Sequence, residues 1–311
     1  MYAVIECGGG ISSMQVEKLE EATPDEIKGI QQKSYRILCY FQDFCNRHNL
    51  RFYLAGGTLI GAIRHQGFIP WDDDVDIFMP RQDYERLPFL WNKYADTGRY
   101  SYCRTNEKEN YHDTGASIRD NNTTFINYHS VNDDIHHGLQ IDLLPIDTRP
   151  DGWIASKIQI FWAMLYSLFN AQRLPDRQGK ILRGLSFVLL NLCRSKSLRY
   201  KIWSYAKQKM TQYEHDESAY CVELSSGLRS MLRVLPKKWF SHTTMVSFED
   251  RMMPVMQGYD PYLRAVWGDY MQLPPVKDRV AKHNTVFIDL DNSYQKYKGI
   301  YYLTNNSLDQ R

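Results

Sequence analysis

The sequence predicts an α/β chain of the α+β kind: a mixed sheet core flanked by helices, followed by a mainly helical C-terminal region. Three observations carry this. Apolar residues recur at helical spacing from Ile27 to Cys45, short runs of period two punctuated by Gly and Pro fill Arg51 to Leu144, and helical patterning dominates from Trp153 onward.

The elements follow in order. Residues Met1 to Gln15, with Gly8-Gly9-Gly10 and Ser12-Ser13, read as a loose tail, so residues 1–22 are set aside as a flexible segment. Thr23-Pro24-Asp25-Glu26 offers an N-cap Thr, Pro at the first helical position and Glu three residues past the cap, which starts a helix running to Asn46. A catalytic core over 23–150 then comprises a strand over Arg51 to Ala55, a Gly56-Gly57 turn, a helix from Thr58 to Arg64, a loop over Gly67 to Trp71, a strand from Asp74 to Met79 and a helix from Pro80 to Leu87. Further strands are expected at Tyr100 to Arg104, Ala116 to Arg119, Thr123 to Ile126 and Leu139 to Leu144, where Pro145 breaks the run. Residues 151–245 read as a helical, basic subdomain and 246–311 as a C-terminal region packing on the core, its last dozen residues frayed.

Composition bounds the function. With 311 residues, 43% hydrophobic and 24% charged, the chain can bury a real core. The formal charge of +2 excludes a nucleic-acid binder that works by bulk charge, but it is unevenly spread: Arg173 to Lys209 holds ten basic residues and one acid, Asp176. The six cysteines form no C-x-x-C pair and no secretory leader precedes them, so a reducing, cytoplasmic location is expected. Lys157 and Gln159 interrupt the apolar stretch Trp153 to Phe169, and Ile181 to Cys193 is too short to span a bilayer.

The densest chemical signal is Trp71-Asp72-Asp73-Asp74-Val75-Asp76-Ile77. Crowded carboxylates repel unless a cation neutralises them, and on a strand Asp74 and Asp76 share a face while Val75 and Ile77 enter the core, so the pair suits a hard divalent ion. An EF-hand loop is excluded because Ile77 occupies its glycine position and Asp83 its terminal Glu position. Upstream, Leu54-Ala55-Gly56-Gly57-Thr58 joins a strand to a helix, where backbone amides can approach phosphate. Downstream, Asp142 is a lone acid in the apolar run Leu139 to Leu144; burying it demands a partner or a metal, which makes it the preferred third ligand over Asp147.

Ala55-Gly56-Gly57-Thr58-Leu59-Ile60-Gly61-Ala62-Ile63-Arg64-His65, followed by Gly67-Phe68-Ile69-Pro70-Trp71-Asp72-Asp73-Asp74-Val75-Asp76, resembles the signature of the LicD family, which includes the fukutin-related proteins. The resemblance extends through Gly138 to Asp147 and into Phe248 to Pro254, Tyr259 to Leu263, Trp267 to Met271 and Leu273 to Pro275. It implies a nucleotidyltransferase-like fold and transfer of phosphocholine from CDP-choline to cell-surface glycans. Sixteen residues, Thr58 to Asp73, separate the glycine turn from the paired acids, more than in the general nucleotidyltransferase pattern.

On this reading Asp74, Asp76 and Asp142 hold Mg²⁺ or Mn²⁺, Gly56, Gly57 and Thr58 bind phosphate, and Arg64 or His65 contacts the diphosphate. Asp142 is the first choice, and His65 the second, to take the proton of the acceptor hydroxyl. Arg279 and His283, four residues apart, would share a helix face and close over the substrate. Trp71, Trp267 and Tyr270 are candidates to cage a quaternary ammonium. The partners are CDP-choline or a related CDP-alcohol and a glycan or lipid-linked glycan acceptor. Residues 153–209 are expected to touch the inner face of the membrane peripherally. Two rivals stand beside this reading: a glycosyltransferase, because Asp74-Val75-Asp76 also satisfies the D-x-D pattern, and a non-catalytic membrane-associated scaffold on the same fold.

Overall fold

The computed structural model describes residues 14–16, 18–174, 179–281 and 283–304; Cys7, the Gly8-Gly9-Gly10 run, Asp176, Arg177 and the chain from 305 onward lie outside them. Of the segment read as a flexible tail, residues 1–13 and 17 lie outside the described residues, and the described ones close to the first helix are ordered. Strand β1 (Gln15–Val16) pairs with a strand near the other end of the sequence, and a 3₁₀ turn follows at Leu19–Glu21. Helix α1 (Pro24–His48) begins as its sequence dictates: the Thr23 hydroxyl accepts from the Glu26 amide while the Glu26 carboxylate accepts from the Thr23 amide, a box worth about 1 kcal/mol. Ile30, Ile37, Phe41 and Phe44 are fully buried, with Phe44 against Trp91 at 4.7 Å between ring centroids.

The elements that build the central sheet come next: β2 (Tyr53–Leu54), α2 (Gly56–His65), β3 (Asp76–Pro80), α3 (Arg81–Tyr94), β4 (Tyr100–Cys103), β5 (Ala116–Asp120), β6 (Thr124–Asn127) and β7 (Gln140–Arg149). Helix α2 starts at the glycine pair itself, two residues earlier than expected, and α3 runs a further two turns past Leu87. The sheet order is β2-β3-β7-β5-β4; β3 runs parallel to β7 and the other neighbours are antiparallel.

Pro145 does not end β7. The Asp142 amide donates toward β3, to the Val75 carbonyl at 2.8 Å, so by alternation the position of Pro145 would donate toward the opposite edge. On that edge β5 pairing stops at Leu143 and the next partner begins at Ile146, so the missing N–H falls where no ladder bond is required.

Helices α4 (Trp153–Ala171), α5 (Lys180–Leu192) and α6 (Lys196–Met210) form the expected helical region, with their own core around Ile160, Tyr166, Trp203 and Met210. Strand signals then return. Strand β8 (Tyr220–Glu223) pairs with the second half of β7, and after α7 (Leu228–Leu232) β9 (Leu235–Pro236) pairs with β8, so this stretch belongs to the central sheet. A hairpin of β10 (Thr243–Phe248) and β11 (Arg251–Met256), helix α8 (Tyr259–Trp267) and β12 (Thr285–Asp289) complete the chain; β12 lies between β1 and β6 in a separate three-stranded sheet. The tail residue Tyr302 is buried against His137 rather than frayed. No helix among the described residues is long and apolar enough to cross a membrane.

Candidate active site

In the β3–β7 ladder Asp76 stands opposite Asp142, and on β5 Ser117 stands opposite Asp142. Partners in a ladder point to the same face, so the two carboxylates and the hydroxyl form one polar row, while Ile77 and Leu143 are buried on the other face. The backbone at Asp76 is fixed at both ends: its amide donates to Thr58 Oγ1 at 3.0 Å and its carbonyl accepts from Ala55 at 2.9 Å. The buried Thr58 hydroxyl thus positions Asp76.

The two glycines at the start of α2 are required by the acids. A Cβ on Gly56, whose φ is +54°, would strike the Asp76 carboxylate, and one on Gly57 would strike that of Asp72. Ala55 at the N-cap has no side-chain oxygen, so the first amides of α2 are left without a capping side chain.

Strand β3 begins at Asp76, so Asp74 lies in the loop before it and not on the strand as expected. It is nonetheless close. Burial, then the charges of Asp74, Asp142 and Asp72, hold the Asp76 carboxyl well above the usual carboxylate range. Asp142 is pushed up to about 7, by burial first and then by the charges of Asp113 and Asp74, against the opposing Arg119 and the Gln140 amide at 2.7 Å. Among the described residues, no three acid, histidine or cysteine side chains are already closed into a metal-ligand set.

The counter-charge comes from far along the chain. His283 Nδ1 lies 2.7 Å from Asp73 Oδ2, and its Nε2 lies 3.8 Å from Asp74 Oδ2. The hydrogen bond to Asp73, with the charges of Asp73, Asp74 and Asp142, raises the imidazole to about 10 against the effect of burial, so it is an imidazolium at neutral pH. His283 does not share a helix face with Arg279, because the 3₁₀ turn there covers only Val276–Asp278 and both residues lie beyond it.

The long loop between glycines and acids is held from two further sides. The Gln31 amide on α1 donates to the carbonyls of Ile69 and Asp72, at 3.0 and 2.8 Å. At the tip of the β10–β11 hairpin, the Glu249 carboxylate accepts from the Phe68 amide at 3.1 Å, and Phe248 meets Phe68 edge-on at 4.9 Å.

Arg64, His65, Trp71 and Arg279 form a neighbouring cluster. Arg64 donates to His65 Nε2 at 3.0 Å and to the Tyr270 carbonyl at 2.7 Å, and the Arg279 guanidinium sits 5.5 Å from the centre of the Trp71 ring. Burial and Arg64 keep His65 below its ordinary value, hence neutral. The expected aromatic cage is not assembled. Tyr270 is buried, with its hydroxyl on Asp260 and its ring under Arg264, and Trp267 packs edge-on against Tyr262 while Trp71 carries Arg279. Asp147 is removed as an alternative ligand: Arg81 grips it through two hydrogen bonds of 2.7 and 2.8 Å, both side chains being buried.

Sequence reasoning missed Asp73, Gln31, Glu249 and Arg119 as parts of this site. Arg119, buried on β5, donates to Ser117 at 2.9 Å and to the His136 carbonyl, and its charge favours ionised Asp142. A lone Arg in the apolar run Ala116 to Arg119 was the available signal.

Comparison with known proteins agrees with this arrangement. Residues 49–163, from just before β2 into α4, match the family model described as LicD/FKTN/FKRP, nucleotidyltransferase domain. The chain is 30% identical over 259 residues to the lipopolysaccharide cholinephosphotransferase LicD of Haemophilus influenzae, covering 79% of this chain and 92% of that protein. Shorter matches reach uncharacterised proteins of Rickettsia prowazekii (33% over 64 residues, 21% of this chain and 24% of that one) and Rickettsia typhi (39% over 49 residues, 16% of each). A sheet that pairs two acids, a glycine turn closed on them and this extent of similarity have one common explanation: the chain belongs to the LicD family.

Proposed function

We propose that the chain is a metal-dependent phosphotransferase that moves phosphocholine, or a closely related phospho-alcohol, from a CDP-activated donor to a hydroxyl of a cell-surface glycan, with release of CMP. The observation that carries this reading is the in-register pair Asp76 and Asp142 beneath the glycine turn, in a chain similar over most of its length to a cholinephosphotransferase.

The donor set fits a hard divalent cation: oxygen ligands only, two carboxylates side by side, and a mutual repulsion that a cation would relieve. Asp74, Asp76 and Asp142 would hold Mg²⁺ or Mn²⁺, which when bound supplies neutralising charge to the diphosphate. The first amides of α2 at Gly56 and Gly57, uncapped by a side chain, suit phosphate oxygens, and Arg64, in the last turn of the same helix, and Arg279 would bring positive charge to the diphosphate. The acceptor oxygen attacks the distal phosphorus, the bond to the bridging oxygen breaks, and CMP departs. Asp142, which would sit beside the metal, is the first choice to take the hydroxyl proton. Neutral His65 is the second choice for that role. We place the reaction on the cytoplasmic side of the membrane.

The deciding experiment incubates the protein, Mg²⁺ and a lipopolysaccharide acceptor with a panel of CDP-alcohols and nucleotide sugars, and identifies the released nucleotide by mass spectrometry. CMP is expected; UMP or UDP would select the glycosyltransferase reading instead, and no release from any donor would favour a scaffold.

A further inference from the structure

Helices α4, α5 and α6 carry an outer face that a water-facing helical subdomain would not have. On α4, Trp153 and Ile154 are 74% and 67% exposed, and Ile158 and Phe161 follow along the same side. Among the described side chains of α5, Ser186 and Leu190 are buried and Leu189 packs partly buried on the helical core, while Leu185, Phe187, Val188 and Leu192 are outward, the last 75% exposed. The faces of α4 and α6 are continuous, because Phe161 meets Trp162 at 5.3 Å and Trp162 meets the exposed Tyr205 at 5.4 Å. Exposed apolar surface of this extent marks an interaction site.

Charge selects the occupant. The three helices hold eight Lys and Arg residues and no Asp or Glu. Lys157, Lys180, Lys196 and Lys201 are exposed on the same three helices. Exposed aromatic rings, aliphatic side chains and lysines on helices that carry no acid match the boundary of an anionic bilayer; none of the described helices is long and apolar enough to cross one.

We propose that the outer face of α4, α5 and α6 docks on an anionic lipid bilayer, with the apolar side chains seated at the headgroup boundary and the lysines on lipid phosphates. The surface is separate from the acid site, so docking is measured without turnover and stands or falls independently of the proposed reaction.

The test is co-sedimentation of the full chain with phosphatidylcholine vesicles, with and without phosphatidylglycerol. Two double variants accompany it, Phe187→Ser with Val188→Ser and Lys196→Glu with Lys201→Glu, whose folding is checked by circular dichroism. Binding only to the anionic vesicles, weakened by salt, is expected. Reversing the two lysine charges should weaken it by at least about 25-fold, about fivefold for each positive charge lost, and the serine pair should abolish it. Absence of binding, equal binding to neutral vesicles, or binding untouched by both variants overturns the proposal. A dimer in light scattering that the serine pair dissolves, without vesicle binding, overturns it in favour of a second copy of the chain.

Discussion

Asp76 on β3 and Asp142 on β7 are partners in a parallel ladder, so the distance between their carboxylates is set by the spacing of two hydrogen-bonded strands and not by loop conformation. Such a pair is costly in the empty protein, and that cost makes it testable.

Asp76→Asn and Asp142→Asn should each lower transfer by about 10²–10⁴-fold while leaving the metal-free protein at least as stable as the parent, because one of two repelling charges is removed. Transfer is read by CMP release and stability by thermal melting in chelator. A variant with full transfer would remove that residue from the site.

The pH dependence of stability has two windows. Asp142 holds its proton up to about 7 in the fold, against 3.8 ordinarily, so between these values the unfolded chain binds fewer protons and stability falls as pH rises. His283, raised from 6.5 to about 10, contributes stability that is complete below 6.5 and is lost as pH climbs toward 10. Burial lowers His136 to about 3 and His137 to about 4, and these oppose Asp142 in the lower window, so the contributions are read as differences from the parent in chelator: Asp142→Asn should remove a decline between 3.8 and about 7, and His283→Gln one between 6.5 and about 10.

Arg81→Met should destabilise the protein by about 3–5 kcal/mol in urea titrations, since it leaves the buried Asp147 carboxylate without its partner. Donor KM should be unchanged in the folded fraction. The contrast with Asp142→Asn separates a structural acid from a chemical one only five positions away on the same strand.

Gly57→Ala should fold but lose most transfer, because the new methyl enters the helix start proposed to hold phosphate and moves the Asp72 carboxylate there. Gly56→Ala adds a left-handed backbone penalty of about 1 kcal/mol and should show a lower melting temperature as well. Equal melting temperatures for the two variants would contradict this account.

What the sequence made legible were the features written locally. The box at Thr23 and Glu26 starts α1, and a lone acid in an apolar run marks Asp142, because each needs only near neighbours in the chain. The contact of His283 with Asp73 spans 210 positions and leaves no local trace; spacing suggested a helix where the chain is irregular. Pro145 misled for a related reason, since whether a missing donor matters depends on which neighbouring strand lies opposite it. The C-terminal motif around Glu249 was recognisable as a pattern, yet its task of holding the loop at Phe68 becomes evident only in three dimensions.

The loop that leads into the acids is fastened by Gln31 near one end of the chain and by Glu249 and His283 near the other. During synthesis, the glycine turn and the aspartates emerge from the ribosome long before the last of these fasteners does. The nascent chain therefore has its ligands but not their arrangement until the 210 positions that separate Asp73 from His283 have been made.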